Sequence, residues 1–311
     1  MSMLDLIKRK NIGNIVLIYH SSFSDKNILR DSYIHNVTPE NIIKHIEILS
    51  KFYDLVKLDD LFSADSKIEG KMAITFDDGY SNLFQDILSS LIEKKIHSTI
   101  FLIGNTLNGK VLWREKIAYL LRNPEIFNEF NKFYSKHVSV KWDFETFYRE
   151  SKLFEFNSKE LDSYLDQFLN LHGFDIKTNL ISNKNNLINN EYVSYGNHTY
   201  NHYVLSSLTE QEQYYEINHN MKLLKKLNIN LSKVFAFPFG GMNDYNKLTL
   251  NILDDLNIDK VLLSNNIINF SGVNNINNIK YLDRLAPSNN KYHLIYRVSR
   301  NIFLKYFHKL I

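Results

Sequence analysis

Short apolar segments alternate with longer amphipathic ones along most of the chain, and this alternation constrains the fold more than any other feature. Strand-like runs fall at 15–20, 54–57, 72–76, 98–103, 192–195, 233–237, 260–263 and 279–282. Helical patterns lie between them at 38–51, opened by Thr-Pro-Glu, and at 82–95, 209–227 and 246–256. A repeated strand-then-helix order predicts a parallel sheet, because parallel neighbours need a crossover long enough to hold a helix. The expectation is an α/β fold closed as an irregular barrel. With 311 residues, no Pro/Gly/Ser-rich linker and no internal repeat, the chain reads as one domain over 1–311.

The pattern changes in the middle of the chain. The stretches 113–121, 125–134, 144–154 and 158–171 read as successive amphipathic helices, with no strand-like alternation. They predict a helical insertion over 106–190, which starts directly after a strand's C-terminal end. That is the face where α/β barrels place their sites, so the insertion is expected to cover the barrel mouth and select substrate while leaving metal binding untouched. The asparagine-rich stretches 179–190 and 265–278 read as polar loops.

The chemistry concentrates at two strand ends. Lys71-Met72-Ala73-Ile74-Thr75-Phe76 is a buried-strand pattern that runs into Asp77-Asp78-Gly79-Tyr80. Adjacent carboxylates repel unless a cation lies between them or one is protonated. Asp-Asp-Gly is also ordinary turn chemistry, and Asp59-Asp60 and Asp254-Asp255 are read that way. A second segment, Tyr192-Val193-Ser194-Tyr195-Gly196-Asn197, leads into His198-Thr199-Tyr200-Asn201-His202. His198 and His202 are four apart, a spacing that on one helical turn points both imidazoles the same way. Such a pair supplies two of the three protein ligands of a catalytic zinc site. Alone it is a weak signal; beside a strand-end Asp-Asp it gains weight. The remaining histidines, His35 and His45 among them, have no comparable context and read as surface or core residues.

Thr75-Phe76-Asp77-Asp78-Gly79 and His198-Thr199-Tyr200-Asn201-His202 resemble the first two motifs of the polysaccharide deacetylases, the NodB-type carbohydrate esterases (family 4). Phe237-Pro238-Phe239-Gly240 is similar to the third motif. Leu17-Ile18-Tyr19-His20 and Tyr281-Leu282-Asp283-Arg284-Leu285 resemble the opening and closing strands of the circularly permuted members. The resemblance implies a distorted (β/α) barrel of about seven units. It also implies metal-assisted removal of an N-acetyl group from a sugar.

By the same resemblance, Asp78, His198 and His202 hold one divalent ion, expected to be zinc, and Asp77 is the general base. A bound cation lowers the pKa of its water from about 15.7 towards 7. The Phe239 N–H would donate to the oxyanion, and His20 would replace the late-strand histidine that is missing from Lys260-Val261-Leu262-Leu263-Ser264-Asn265. The usual third motif also carries an arginine that orients the base, and Val234-Phe235-Ala236-Phe237 has none. Arg284 is the expected substitute, the alternative being a surface ion pair. Tyr80, Trp113 and Arg284 are taken as substrate-side contacts and Arg114 as an anion contact. The alternative for Trp113 is a core anchor of the insertion.

A net charge of +3 is too small to argue nucleic-acid binding, and the chain has no cysteine for disulfides or thiolate ligands. Lys8-Arg9-Lys10 precedes an apolar run of five residues, shorter than the roughly 7–15 an export segment needs, so a cytoplasmic location is expected. That location favours a sugar in a lipid- or nucleotide-linked precursor of a cell-surface glycan. Over 288–311 the sequence reads as a basic amphipathic helix. Ile295, Val298, Ile302, Tyr306 and Leu310 form one side, and Arg297, Arg300, Lys305 and Lys309 the other. It would either touch an anionic membrane surface or close the barrel. The competing functions are a deformylase or O-deacetylase using the same site, and an inactive carbohydrate-binding relative.

Overall fold

The computed structural model describes residues 12–24, 34–63 and 70–307. Its strands are β1 (Ile15–Tyr19), β2 (Asp54–Leu55), β3 (Lys71–Phe76), β4 (Ser98–Leu102), β5 (Val193–Asn197), β6 (Leu231–Ala236), β7 (Lys260–Leu263), β8 (Asn274–Ile276) and β9 (Ile279–Asp283). The helices are α1 (Pro39–Leu49), α2 (Leu88–Glu93), α3 (Trp113–Arg122), α4 (Pro124–Ser135), α5 (Phe147–Glu150), α6 (Ser158–Leu171), α7 (Glu210–Lys225), α8 (Lys247–Asp255) and α9 (Lys291–Phe307). The strands form one sheet in the order β1-β3-β4-β5-β6-β7-β9-β8, with β2 paired to the start of β3. Every pairing is parallel except the β8–β9 hairpin. The sheet curls until its ends meet at a bridge between Leu17 and Leu285, where Ile18 N–H donates to the Leu285 carbonyl at 3.0 Å. This is the expected irregular α/β barrel.

Side-chain alternation divides the strands between two cores. Leu17, Tyr19, Ile74, Phe76, Tyr195, Phe235, Val261 and Leu263 point outward into the large core under the helices. Val16, Ala73, Phe101, Val234, Ala236, Leu262 and Leu282 point inward and pack with Leu58, Leu61 and Phe62, which plug the interior. Carried past the strand ends, the inward parity falls on His20, Asp77, His198 and Arg284. The hydrophobic pattern that builds the barrel thus aims the polar residues into its mouth.

The insertion is built from α3, α4, α5 and α6 around buried Phe127, Phe130, Phe147 and Phe168. Asn157 caps α6 by accepting from the backbone N–H groups of Lys159 and Glu160. Strand β8 lies inside the asparagine-rich stretch read as loop. Its hairpin turns at Asn277, which takes the left-handed conformation (φ 54°) such turns require. Helix α9 buries Leu294 and Val298 and packs on α1, while Ile295 is 41% exposed. Arg297, placed with the solvent side from the sequence, donates to the Ala286 carbonyl and to Asn266 Oδ1. Of the expected apolar side, Val298 and Ile302 pack on the core, while Leu294 takes the place of Ile295, and the helix packs on the barrel. Leu310, Lys309 and the Lys8–Arg9–Lys10 run lie outside the described residues. Among the described residues no helix is long and apolar enough to cross a membrane.

Candidate active site

The chain leaves β3 by a tight turn. Asp77 N–H extends the ladder to the Tyr19 carbonyl at 2.9 Å, Asp78 takes φ 69°, and Gly79 N–H returns to the Asp77 carbonyl at 2.8 Å. Gly79 has φ 83°, and a Cβ there would lie 2.7 Å from a Leu102 methyl, so only glycine fits. The turn separates the two carboxylates: Asp77 faces inward and Asp78 faces the histidines.

His198 and His202 do not share a helical turn, contrary to the four-residue spacing argument. They lie on an irregular loop after β5, with Thr199 at φ 64° and His202 at φ 60°. Glu216 of α7 holds this loop, accepting from Asn201 N–H at 2.7 Å and Asn201 Nδ2 at 2.6 Å, while Thr199 Oγ1 accepts from His202 N–H. The imidazoles still converge, with ring centroids 4.8 Å apart. Phe239, in the loop after β6, has φ 63°. Left-handed backbone is uncommon away from glycine and costs about 1–3 kcal/mol where the surroundings impose it. Here it recurs at Asp78, Thr199, His202 and Phe239, all in one site.

Asp78, His198 and His202 bring one ligand atom each within 4.8 Å of one another, and all three are buried. The Nε2 atoms of His198 and His202 stand 3.5 and 3.4 Å from Asp78 Oδ1, beyond a good hydrogen bond. Asp78 Oδ1 has no hydrogen-bond partner among the described residues. Two ligands about 2.0–2.1 Å from one tetrahedral ion are separated by about 3.4 Å, so the donor set fits a divalent cation such as zinc. His198 Nδ1–H donates to the Ala236 carbonyl at 2.9 Å, which leaves Nε2 as the ligating atom. Burial pushes His202 down to about 3, against the opposing pull of Asp78, and keeps it neutral as a ligand must be.

Arg284 Nη1 donates to Asp77 Oδ1 at 2.7 Å, and its other nitrogens are held by Ser264 Oγ and the Leu263 carbonyl. Burial alone would raise the Asp77 carboxyl. Arg284, with His198 and His20, outweighs it and holds Asp77 below the ordinary carboxylate range. Arg284 is 1% exposed, so it reaches substrate only through Asp77 and is no substrate contact. Trp113 is corrected in the same way. It is buried and donates Nε1–H to the His202 carbonyl at 3.0 Å, a core anchor beneath the site. Tyr203 Oη–H to Asp162 Oδ2 (2.7 Å) and Val204 N–H to Ser158 Oγ (3.0 Å) add further ties between the insertion and the segment after His202.

These groups open on a cavity of about 180 Å³ lined by His20, His35, Asp78, Tyr80, Arg114, Lys152, His202 and Phe239. His35, dismissed from the sequence, lies against His20. Its Nε2–H donates to the Pro287 carbonyl at 2.7 Å, which leaves its Nδ1 to accept from His20 Nδ1–H at 3.2 Å. Burial, reinforced by His20, pushes His35 down to about 4, so it stays neutral. Nothing in the local sequence marks His35, because its contacts come from residues far along the chain. Glu216 was missed for the same reason.

A sequence model described as polysaccharide deacetylase matches residues 64–132 and 169–261, and the interval it skips lies inside the insertion. No curated protein matches the chain. Among solved structures, the deacetylase PplD of Streptococcus pyogenes, in complex with acetate, superposes with TM-score 0.56 at 15% identity, covering 93% of this chain and 99% of that one. IcaB from Ammonifex degensii gives TM-score 0.53 at 16% identity over 92% and 97% of the two chains. A de-N-acetylase from Aggregatibacter actinomycetemcomitans gives 0.51 at 13% identity over 89% and 95%. At these identities the likeness concerns the fold.

Proposed function

The chain belongs to the polysaccharide deacetylase family, and with hydrolytic deacetylation of a carbohydrate as the premise we propose that it is a metal-dependent sugar N-deacetylase. The observation that carries this reading is the convergence of Asp78, His198 and His202 beside an arginine-paired Asp77 at one barrel mouth. The substrate we infer is a sugar of a cell-surface glycan or of its lipid- or nucleotide-linked precursor.

In this reading Asp78, His198 and His202 hold the ion. A divalent cation there supplies Lewis acidity, acidifying water and polarising the acyl carbonyl. Asp77, kept ionised by Arg284, takes the proton of the attacking water as its oxygen bonds to the carbonyl carbon. The Phe239 N–H is assigned to the developing oxyanion, in a loop whose left-handed backbone is fixed before substrate arrives. When the C–N bond breaks, the leaving nitrogen needs a proton, and His20 supplies it from Nε2 after its ring has taken up a second proton from solvent, which burial opposes and the Asp78 and Asp77 carboxylates favour. His35 Nδ1 holds the other ring proton and so orients His20. The products are acetate and a free amine. Tyr80 is buried at the cavity wall, where we assign it to substrate contact.

The test is a panel of N-acetyl, N-formyl and O-acetyl sugars with protein stripped by chelator and then given one equivalent of zinc. Acetate and amine should appear in equal amounts only with metal. Release of formate alone, or of acetate without amine, would move the assignment to deformylation or ester hydrolysis. Full activity without metal would remove it.

A further inference from the structure

One wall of the active-site cavity carries positive charge that hydrolysis of a neutral acetamide leaves unused. Arg114, on α3, is buried with its guanidinium 3.8 Å from the Tyr148 ring centroid and 4.8 Å from that of Trp113. It donates to neutral groups, Nη1–H to Ser151 Oγ at 2.8 Å and Nη2–H to the Tyr148 carbonyl at 2.6 Å. A guanidinium has five N–H donors, more than these two bonds use. Lys152, half-buried, places Nζ 5.5 Å from the Phe239 ring centroid, and Arg114 lies 5.9 Å from the same ring. That ring is 4.8 Å from the ring of His202. Among the described residues neither cation has a carboxylate within ion-pair distance.

A buried cation without a counter-ion is costly, and a second one beside it adds repulsion. Burial, with Arg114 next, pushes the Lys152 ammonium down; Asp244, beyond ion-pair distance, opposes them without cancelling them. Stacking on Tyr148 and Trp113 fixes the plane of the guanidinium, which suits two-point recognition of a carboxylate or phosphate. From these contacts we propose that Arg114 and Lys152 form a subsite for an anionic substituent of the sugar, a phosphate or carboxylate carried close to the acetamide that is cleaved. The inference rests on the deacetylase reading of this pocket and narrows its substrate to acidic N-acetylated sugars.

The experiment compares kcat/KM of the zinc-loaded full chain on N-acetylglucosamine 1-phosphate, N-acetylmuramic acid and a neutral N-acetylglucosamine oligomer. The variants are Lys152→Met and Arg114→Lys. One acidic sugar should exceed the neutral one by about tenfold or more, the scale of a charge-assisted hydrogen bond, and that ratio should fall by about as much in Lys152→Met. Whichever acidic sugar leads identifies the anion as phosphate or carboxylate. A wild-type ratio near one, or an unchanged ratio in Lys152→Met, overturns the subsite while leaving the deacetylase assignment in place. If no sugar releases acetate, thermal unfolding with inorganic phosphate decides. A rise in midpoint for the wild type that is absent in Lys152→Met supports the subsite without the deacetylase reading, and no difference between the two removes it.

Discussion

Arg284 Nη1 lies 2.7 Å from Asp77 Oδ1, joining the end of the last barrel strand to the end of β3 across 207 residues of sequence. Both side chains are almost fully buried. The charge that orients the base is expected in the third motif, where this chain has only Val234-Phe235-Ala236-Phe237. It comes instead from another strand end of the same inward parity. A barrel offers this freedom because every strand end opens on one mouth.

Arg284→Met should destabilise the protein by about 3–5 kcal/mol, the scale of removing one partner from a buried pair. Urea unfolding at pH 7 measures it. A loss under about 1 kcal/mol would mean that Asp77 finds another partner or is protonated.

Trp113→Phe removes the donor to the His202 carbonyl while keeping the apolar bulk. Zinc affinity should weaken by about 10–100-fold, as for other residues that support metal ligands. KM for the sugar at saturating zinc should stay as it was. A raised KM with unchanged zinc affinity would restore Trp113 as a sugar platform.

His20 and His35 should behave as one unit. His20→Ala should reduce kcat by about 10²-fold or more, the scale of positioned proton transfer. His35→Ala should cost less, and the double variant should be no slower than His20→Ala alone. Additive losses would place His35 in an independent role, and a near-normal rate for His20→Ala would take the acid role from it.

Glu216 gives a pH signature in stability. Burial raises it to about 7, against the donors of Asn201. The folded state therefore keeps its proton longer than the unfolded chain does. The contribution is complete below the ordinary value of 4.5 and is lost as pH rises through about 7, a change of roughly 3 kcal/mol. The difference in unfolding free energy between wild type and Glu216→Gln should narrow or reverse between pH 5 and 8. A difference that stays constant over that range contradicts the assignment.

The barrel was legible in the chain because most of its strands hold short apolar runs, too short for helices and separated by longer amphipathic stretches. The insertion helices were legible from their amphipathic periodicity. Asp77, Asp78, His198 and His202 were legible as residue types at strand ends, but the backbone that brings them together was not. No spacing rule predicts left-handed Thr199, His202 and Phe239, whose conformations are imposed by tertiary contacts such as Glu216 to Asn201. Trp113 was left between sugar contact and core anchor for a related reason: an aromatic at the start of an insertion helix looks the same in sequence whether it faces sugar or core. On helix α9, Val298 and Ile302 pack as expected, but Leu294 is buried in place of Ile295, because the two are adjacent and equally apolar and only packing chooses between them.

The most direct test of the account is the Asp77→Asn variant, assayed for bound zinc and for acetate release from an N-acetylated sugar that the wild type cleaves. The substitution keeps the shape of the side chain and removes only its capacity to take a proton. One zinc per chain and a turnover reduced by about 10²-fold or more are expected, because Asp77 acts on the proton and Asp78, His198 and His202 hold the ion. Undiminished acetate release by the zinc-loaded variant would contradict the account.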